Sequence, residues 1–208
     1  MKKTIILSLI VAVLVASSCF GIEVLSPGTT IGAEKFAMEG FYSSTSFQLA
    51  DTSILQYGLR AVYGMTGDLD VLCKLGLGTA AGLNSSTIGA GIKYAFLKVS
   101  ANDAVDLSGL INFESVSGNS YTLGNTSIGI VASKDLKNTI TIYGLANVIL
   151  TSAKFTGLPA SSGTGLQIGV GFKQQINTAT AFMGEMSMYN VDYNSYATVA
   201  LGLQVMLM

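Results

Sequence analysis

Four carboxylates in the chain have the residue type for acid–base catalysis: Glu39, Asp106, Glu114 and Glu185. An acid and a base that act together could move protons at a substrate. The sequence contains no histidine, which excludes Ser-His, Cys-His and His-metal sites. Partnership with buried cations is the simpler interpretation of these carboxylates. We therefore predict no catalytic residues, no metal site and no cofactor.

Two glycine-containing runs and a tyrosine cluster could also bind ligands. Residues 89–91 and 169–171 resemble phosphate-binding loops, but they lack the helix and the adjoining lysine of a phosphate cradle, so we interpret them as strand glycines. The cluster falls in or beside a predicted outer loop. It could contact a partner or a glycan, or it could anchor the rim at a membrane interface. Its members are Tyr189, Asp192, Tyr193 and Tyr196.

The composition indicates a membrane environment. Of 208 residues, 50% are hydrophobic and only 11% are charged, against about 25% charged in a typical soluble domain. The mean hydropathy is +0.54. A net charge of -1 argues against nucleic acid as a partner, because binding it needs a basic surface.

The N-terminus has the features of an export signal. Lys2 and Lys3 precede an apolar run over 5–16, which is too short to span a bilayer as a helix, and small residues follow it. We predict a signal peptide over 1–21 and a single domain over 22–208.

The cleavage point has two candidates, after Ser18 or after Gly21, and a lipid anchor is an alternative. Cys19 follows a small residue, as in lipoprotein signals, but Ala16 stands where that pattern prefers a bulky aliphatic residue. Cys73 lies in a predicted strand, and two cysteines are too few for a disulfide framework.

Alternation of apolar and polar residues with period 2 dominates the rest of the chain. It predicts ten strands of about the length that crosses a bilayer as a tilted strand. Helix periodicity is absent. The ten segments are approximately 33–42, 54–65, 69–78, 87–96, 105–114, 125–133, 139–151, 166–173, 179–188 and 198–207.

The predicted connections alternate in length. Short turns join strands two and three, four and five, six and seven, and eight and nine. Short periplasmic turns, long outer loops and an even strand count are typical of outer-membrane barrels, with both termini on the periplasmic side. The predicted long links are 43–53, 79–86, 115–124, 152–165 and 189–196.

The charges decide which strand face points inward. Ten of them share the polar parity, whereas Glu34 and Lys98, on the apolar parity, fall at strand ends. Five positive and five negative charges are too sparse for a solvated exterior, but they can pair across a lumen. The predicted lumen-lining residues are Lys35, Glu39, Arg60, Asp70, Lys74, Lys93, Asp106, Glu114, Lys173 and Glu185. The alternative is a soluble, exported, lipocalin-like barrel with its apolar face inside.

The signal, the alternating strands and the connection pattern resemble the small bacterial outer-membrane β-barrel proteins, the OmpA/OmpX-like and porin-like group. One departure is the end of the chain, Val205 to Met208, where that group usually has Phe or Trp. The resemblance implies an all-β, antiparallel, up-and-down transmembrane β-barrel of about ten strands. It also implies the lipid bilayer and the outer-membrane assembly machinery as partners, and the cell outer membrane as location.

Two functional classes follow from this resemblance. The first is a narrow porin-like pore for ions or very small solutes, or else a largely closed structural barrel. The second is a surface adhesin or ligand-binding barrel that uses the loops 152–165 and 189–196. The barrel enzymes of this group need a histidine, so we predict no enzymatic activity. The sequence leaves the oligomeric state open.

Overall fold

The computed structural model of the chain contains ten antiparallel strands. It describes residues 25–47, 53–80, 83–98, 105–136, 139–157, 159–191 and 194–207. The predicted signal peptide and Cys19 lie outside the described residues. The strands are β1 (Phe36–Phe47), β2 (Ser53–Gly64), β3 (Leu69–Ala80), β4 (Leu83–Leu97), β5 (Asp106–Gly118), β6 (Tyr121–Leu136), β7 (Ile140–Phe155), β8 (Ser161–Gln175), β9 (Thr180–Val191) and β10 (Asn194–Leu207).

The sheet closes on itself. Each strand pairs with its neighbours in sequence, and β1 pairs with β10 from Phe36 opposite Leu207 to Phe47 opposite Tyr196. Closure leaves no edge strand with free backbone donors and acceptors. The prediction of a ten-stranded, up-and-down, antiparallel barrel is confirmed. No helix among the described residues is long and apolar enough to cross a membrane. We call the end with Phe36 and Leu207 the base, and the opposite end the mouth.

Over the central parts of the strands, apolar side chains face outward and charged side chains face inward. Along β8, Leu166, Ile168 and Val170 are each 65% exposed. In contrast, Lys93 on β4 is 2% exposed and Asp70 on β3 is fully buried. A lipocalin-like barrel would have the reverse arrangement, so that alternative is wrong. An apolar exterior around a polar interior is the arrangement of barrels that span membranes.

The predicted difference between long outer loops and short turns is wrong. The strands extend toward the mouth, so only residues 119–120 separate β5 from β6 and only 192–193 separate β9 from β10. At the base, by contrast, residues 98–105 separate β4 from β5. The Ser-, Thr- and Asn-rich segments near the mouth have the composition of loops, but they continue the ladder pairing. The first strand also begins at Phe36, later than the predicted 33.

The outward orientation predicts a penalty for charge that depends on depth in a bilayer. Ile168 lies midway along β8, and we expect Ile168→Lys to lower the free energy of unfolding in lipid by about 2–4 kcal/mol. Leu136→Lys, at the base end of β6, is the matched control and should cost about 0–1 kcal/mol. Urea titration in lipid vesicles measures both values. Equal costs at the two depths would contradict the orientation.

Candidate functional site: a filled lumen

The segment before β1 runs inside the barrel. We call residues 25–31 the inner segment. A turn at the base reverses the chain between this segment and β1, with Gly32 and Glu34 in the left-handed region at φ of 97° and 58°. A Cβ on Gly64 would lie 1.8 Å from the carbonyl oxygen of Gly32. A glycine at the end of β2 therefore allows this close approach.

The start of the inner segment lies deep in the lumen. Leu25 is buried and packs with Phe41, Met183 and Ala200, which point inward from β1, β9 and β10. Its backbone N–H donates to Glu185 over 2.7 Å, and its carbonyl accepts from Arg60 Nη2 over 2.6 Å. One carboxylate and one guanidinium thus bind both backbone groups of this residue, and charge-assisted bonds of this kind are the stronger ones.

Lys93 binds the middle of the inner segment. Its ammonium Nζ donates to Ser26 Oγ at 2.9 Å, to the Pro27 carbonyl at 3.2 Å and to the Thr29 carbonyl at 2.7 Å. Asp70 Oδ2 lies 3.2 Å from the same Nζ. Lys93 is therefore paired with a carboxylate and also bound to three oxygens of the inner segment, which offsets the cost of burying its charge.

Two other side chains bind the far part of the segment. The Ile31 backbone N–H donates to the Asp70 carboxylate, with oxygens at 3.2 and 3.3 Å, and Ser108 Oγ donates to the Gly28 carbonyl. A Cβ on Gly28 would lie 2.9 Å from Ser133 Oγ and 3.0 Å from two wall carbonyls, so the segment packs closely against the barrel wall there.

A second ionic group lies closer to the mouth. Lys74 Nζ is 2.9 Å from Glu114 Oε2, and Gln56 Nε2 donates to Glu114 Oε1 over 3.2 Å. The Lys74 ammonium also lies 4.6 Å from the centroid of the Phe41 ring, a cation–π contact. This layer crosses the bore above the inner segment.

Neutral and ionic polar groups fill other parts of the lumen. Arg60 pairs with Glu39, and Gln204 Nε2 donates to Glu39 Oε1 over 2.6 Å. Across β7, β8 and β9, Asn147 donates to Gln167 over 2.8 Å, and Gln167 donates to Ser187 over 3.1 Å. Buried polar groups with these partners hold the wall and the contents of the bore in one arrangement.

The described residues enclose a smaller and a larger cavity inside the barrel. The smaller, about 30 Å³, lies beside Arg60, Lys74 and Glu114, and it is large enough for about one water. The larger, about 170 Å³, lies in the mouth half, and we call it the mouth cavity. The bore is therefore occupied at the base by the inner segment and at mid-height by the Lys74–Glu114 layer.

The ten predicted lumen residues fall into three groups. Three are half-buried with inward parity, namely Glu114 at mid-height, Asp106 at the start of β5 and Lys173 on β8. Lys35 is exposed, because β1 begins at Phe36 and Lys35 lies in the turn before it. Six are buried inside the barrel: Glu39, Arg60, Asp70, Lys74, Lys93 and Glu185.

The tyrosine cluster has a different position from the predicted one. Tyr189 and Tyr196 are opposite each other on β9 and β10 and stack inside the barrel, with centroids 4.6 Å apart and planes 9° apart. They are strand residues that face the mouth cavity, and neither projects from an outer loop. Asp192 and Tyr193 lie outside the described residues.

The sequence did not predict that the inner segment lies inside the barrel. The pair Pro27-Gly28 marks a break in strand character, but nothing in its pattern places the segment inside a barrel. The neutral residues Gln56, Asn147 and Gln167 were also missed, although they share the parity of the predicted charges. Parity applied to all polar residues would have found them. Within the described ranges, no three His, Cys, Asp or Glu side chains form a group that could hold a metal ion.

Comparison with solved structures finds several bacterial proteins at low similarity. Ail, the attachment invasion locus protein of Yersinia pestis, is 14% identical with a TM-score of 0.40, over 85% of this chain and 100% of that one. The N-terminal β-barrel domain of Pseudomonas aeruginosa OprF is 12% identical with a TM-score of 0.40, over 85% and 99%. Neisserial surface protein A is 13% identical with a TM-score of 0.43, over 82% and 95%.

No protein-family model matches the chain, and no curated protein matches it in sequence. The assignment of a closed ten-stranded barrel rests on the strand pairing described above.

The buried ion pair predicts a large cost for Asp70→Asn. The substitution leaves Lys93 without its carboxylate in a buried site, and removal of one partner of a buried pair costs about 3–5 kcal/mol. Asp68 is the matched control, because it pairs with Lys98 over 2.7 Å at an exposed position two residues away. Asp68→Asn should cost about 0–1 kcal/mol. Urea unfolding of both variants measures the difference, and similar costs would show that Lys93 does not depend on Asp70.

Proposed function

We propose that the chain is an integral β-barrel of the bacterial outer membrane whose lumen is closed. The exposed aliphatic side chains of the strands suit hydrocarbon, and the closed ladder satisfies the backbone groups that lipid cannot. Export through the predicted signal over 1–21 would deliver the chain to the assembly machinery of that membrane. The proposal includes no catalytic step.

One observation carries the closed state: the inner segment occupies the base half of the bore. Arg60, Lys93, Asp70 and Glu185 bind its backbone from four different strands. An eight-stranded barrel has just enough interior for side chains to fill, and channels are typical of about 16–18 strands. Ten strands leave a small surplus of volume, and the inner segment takes up that surplus.

A conducting pore would require the inner segment to leave. Its displacement breaks several charge-assisted hydrogen bonds at once and leaves Lys93 paired with Asp70 alone in a low-dielectric site. In this conformation, the lumen charges therefore hold the inner segment in place. These charges would line a conducting pore, and affect its ion selectivity, only in a different conformation from which the inner segment has moved.

The adhesin alternative depended on long outer loops. The strands instead extend to residues 155 and 161 on either side of one such loop and to residues 191 and 194 on either side of the other. The two described tyrosines of the cluster also turn into the barrel. These observations favour the closed barrel over an adhesin that binds through those loops.

The contacts of the lumen charges with the inner segment predict how conductance responds when two basic side chains are neutralised. We expect purified wild-type barrels in planar bilayers to show no stable conductance steps. The double variant Arg60→Gln/Lys93→Gln should conduct, because the carbonyls of Leu25, Pro27 and Thr29 lose their charged donors.

Lys98→Gln is the matched control, since Lys98 is an exposed lysine next to the end of β4 and outside the lumen. It should behave as the wild type does. Folding of every variant is checked by heat-modifiable gel migration. Stable wild-type conductance steps, unchanged in the double variant, would contradict the closed-lumen proposal.

A further inference from the structure

The mouth cavity has the size and shape of a small-molecule site. It encloses about 170 Å³ in the mouth half of the barrel, above the Lys74–Glu114 layer. A cavity of about 150 Å³ with apolar walls is large enough to bind benzene. The mouth cavity therefore has room for one aromatic ring or a compact pair of fused rings.

Apolar and aromatic side chains form most of the walls, and the neutral polar residues Thr45, Asn125, Thr151 and Ser152 also line the cavity. Ile54, Val116 and Leu123 come from β2, β5 and β6, and the stacked Tyr189 and Tyr196 come from β9 and β10. The tyrosine pair is fixed in place by cross-strand register and by stacking, and Tyr189 is buried. A rigid aromatic wall can stack on a flat ligand with little loss of side-chain entropy.

The floor is polar, and its charges are already balanced. Glu114 accepts hydrogen bonds from Lys74 and Gln56, so the carboxylate is held in position with both oxygens on the lumen side. Of the described residues that line the mouth cavity, none is lysine or arginine. A ligand carboxylate would lose its hydration next to Glu114 without a cation of its own, which is costly. A neutral N–H or O–H donor has an acceptor there.

We propose that the mouth cavity is a binding site for a small, neutral, flat aromatic molecule that carries one hydrogen-bond donor. The ring lies between the aliphatic wall and the Tyr189–Tyr196 stack, and the donor points to the floor at Glu114. This site is independent of whether the bore below it conducts. Its failure in a binding test leaves the closed-lumen proposal untouched, and conductance of the barrel leaves this site untouched.

Indole is a suitable probe, because the chain contains no tryptophan and indole emission can be excited without a tryptophan signal from the protein. Indole titrated against the folded barrel in detergent should show saturable binding, with emission shifted to shorter wavelength. Indole-3-acetate has the same ring with an added carboxylate, and we expect it to bind at least about tenfold more weakly, equivalent to about 1.4 kcal/mol.

Two cavity-filling variants test the position of the site. Val116→Phe and Ala153→Leu each add volume to a residue that lines the cavity, and each should abolish saturable indole binding. Having two fillers keeps the test decisive if one variant does not fold. Val148→Phe places the same added ring on the outward face of β7. It should bind indole as the wild type does, and it controls for the effect of an added ring outside the cavity.

Three outcomes would overturn the proposal. The first is non-saturable wild-type uptake equal to that of the filled variants, which means partition into detergent only. The second is saturable binding that survives in both filled variants, which places the site elsewhere. The third is equal affinity for indole and indole-3-acetate, which contradicts the acidic floor.

Discussion

Hydrocarbon cannot form hydrogen bonds, and this constraint accounts for most of the structure. Every backbone N–H and C=O of a spanning strand must be paired within the protein. The pairing of β1 with β10 meets that requirement by closing the sheet. Closure then divides each strand into an outward stripe of aliphatic residues and an inward stripe. Charges are costly on the outward stripe, so the inward stripe carries them.

The inward stripe raises a second problem, because a closed bore of ten strands has a low dielectric and little water. Charges there need partners. The barrel supplies them in two ways, as ion pairs between strands and as bonds to the inner segment. Asp70 and Lys93 do both, since they pair with each other and also bind the inner segment, Lys93 at residues 26–29 and Asp70 at Ile31. The same contacts that stabilise the buried charges also close the bore. The charges in the wall of the lumen and the closure of the lumen therefore depend on the same contacts.

The sequence was sufficient for the parts of the structure that depend on local alternation. Period 2 in segments such as 166–173 places Val170 outward and Lys173 inward, whatever the rest of the chain does. Two features were not accessible in this way. Polar segments near the mouth, including 115–118, pair as strands because neighbouring strands continue beside them, which is a property of the assembled sheet. Residues 25–31 have no periodicity. Their place in the lumen depends on side chains from β1, β2, β3, β4, β5, β9 and β10, which meet only after closure.

Cys73 offers the most direct measurement of the central claim, that the apolar stripe faces hydrocarbon and the charges face the axis. It is a free, exposed cysteine on β3, directly beside Lys74, which points inward. A spin label on Cys73, in a Cys19→Ser chain reconstituted in lipid vesicles, reports collisions with dissolved oxygen and with a water-soluble nickel complex. The account predicts frequent collisions with oxygen, which concentrates in hydrocarbon, and few with the nickel complex. Preferential collision with the nickel complex would show that this stripe faces water. That result would contradict the orientation on which the polar lumen, its contacts with the inner segment and the mouth cavity all depend.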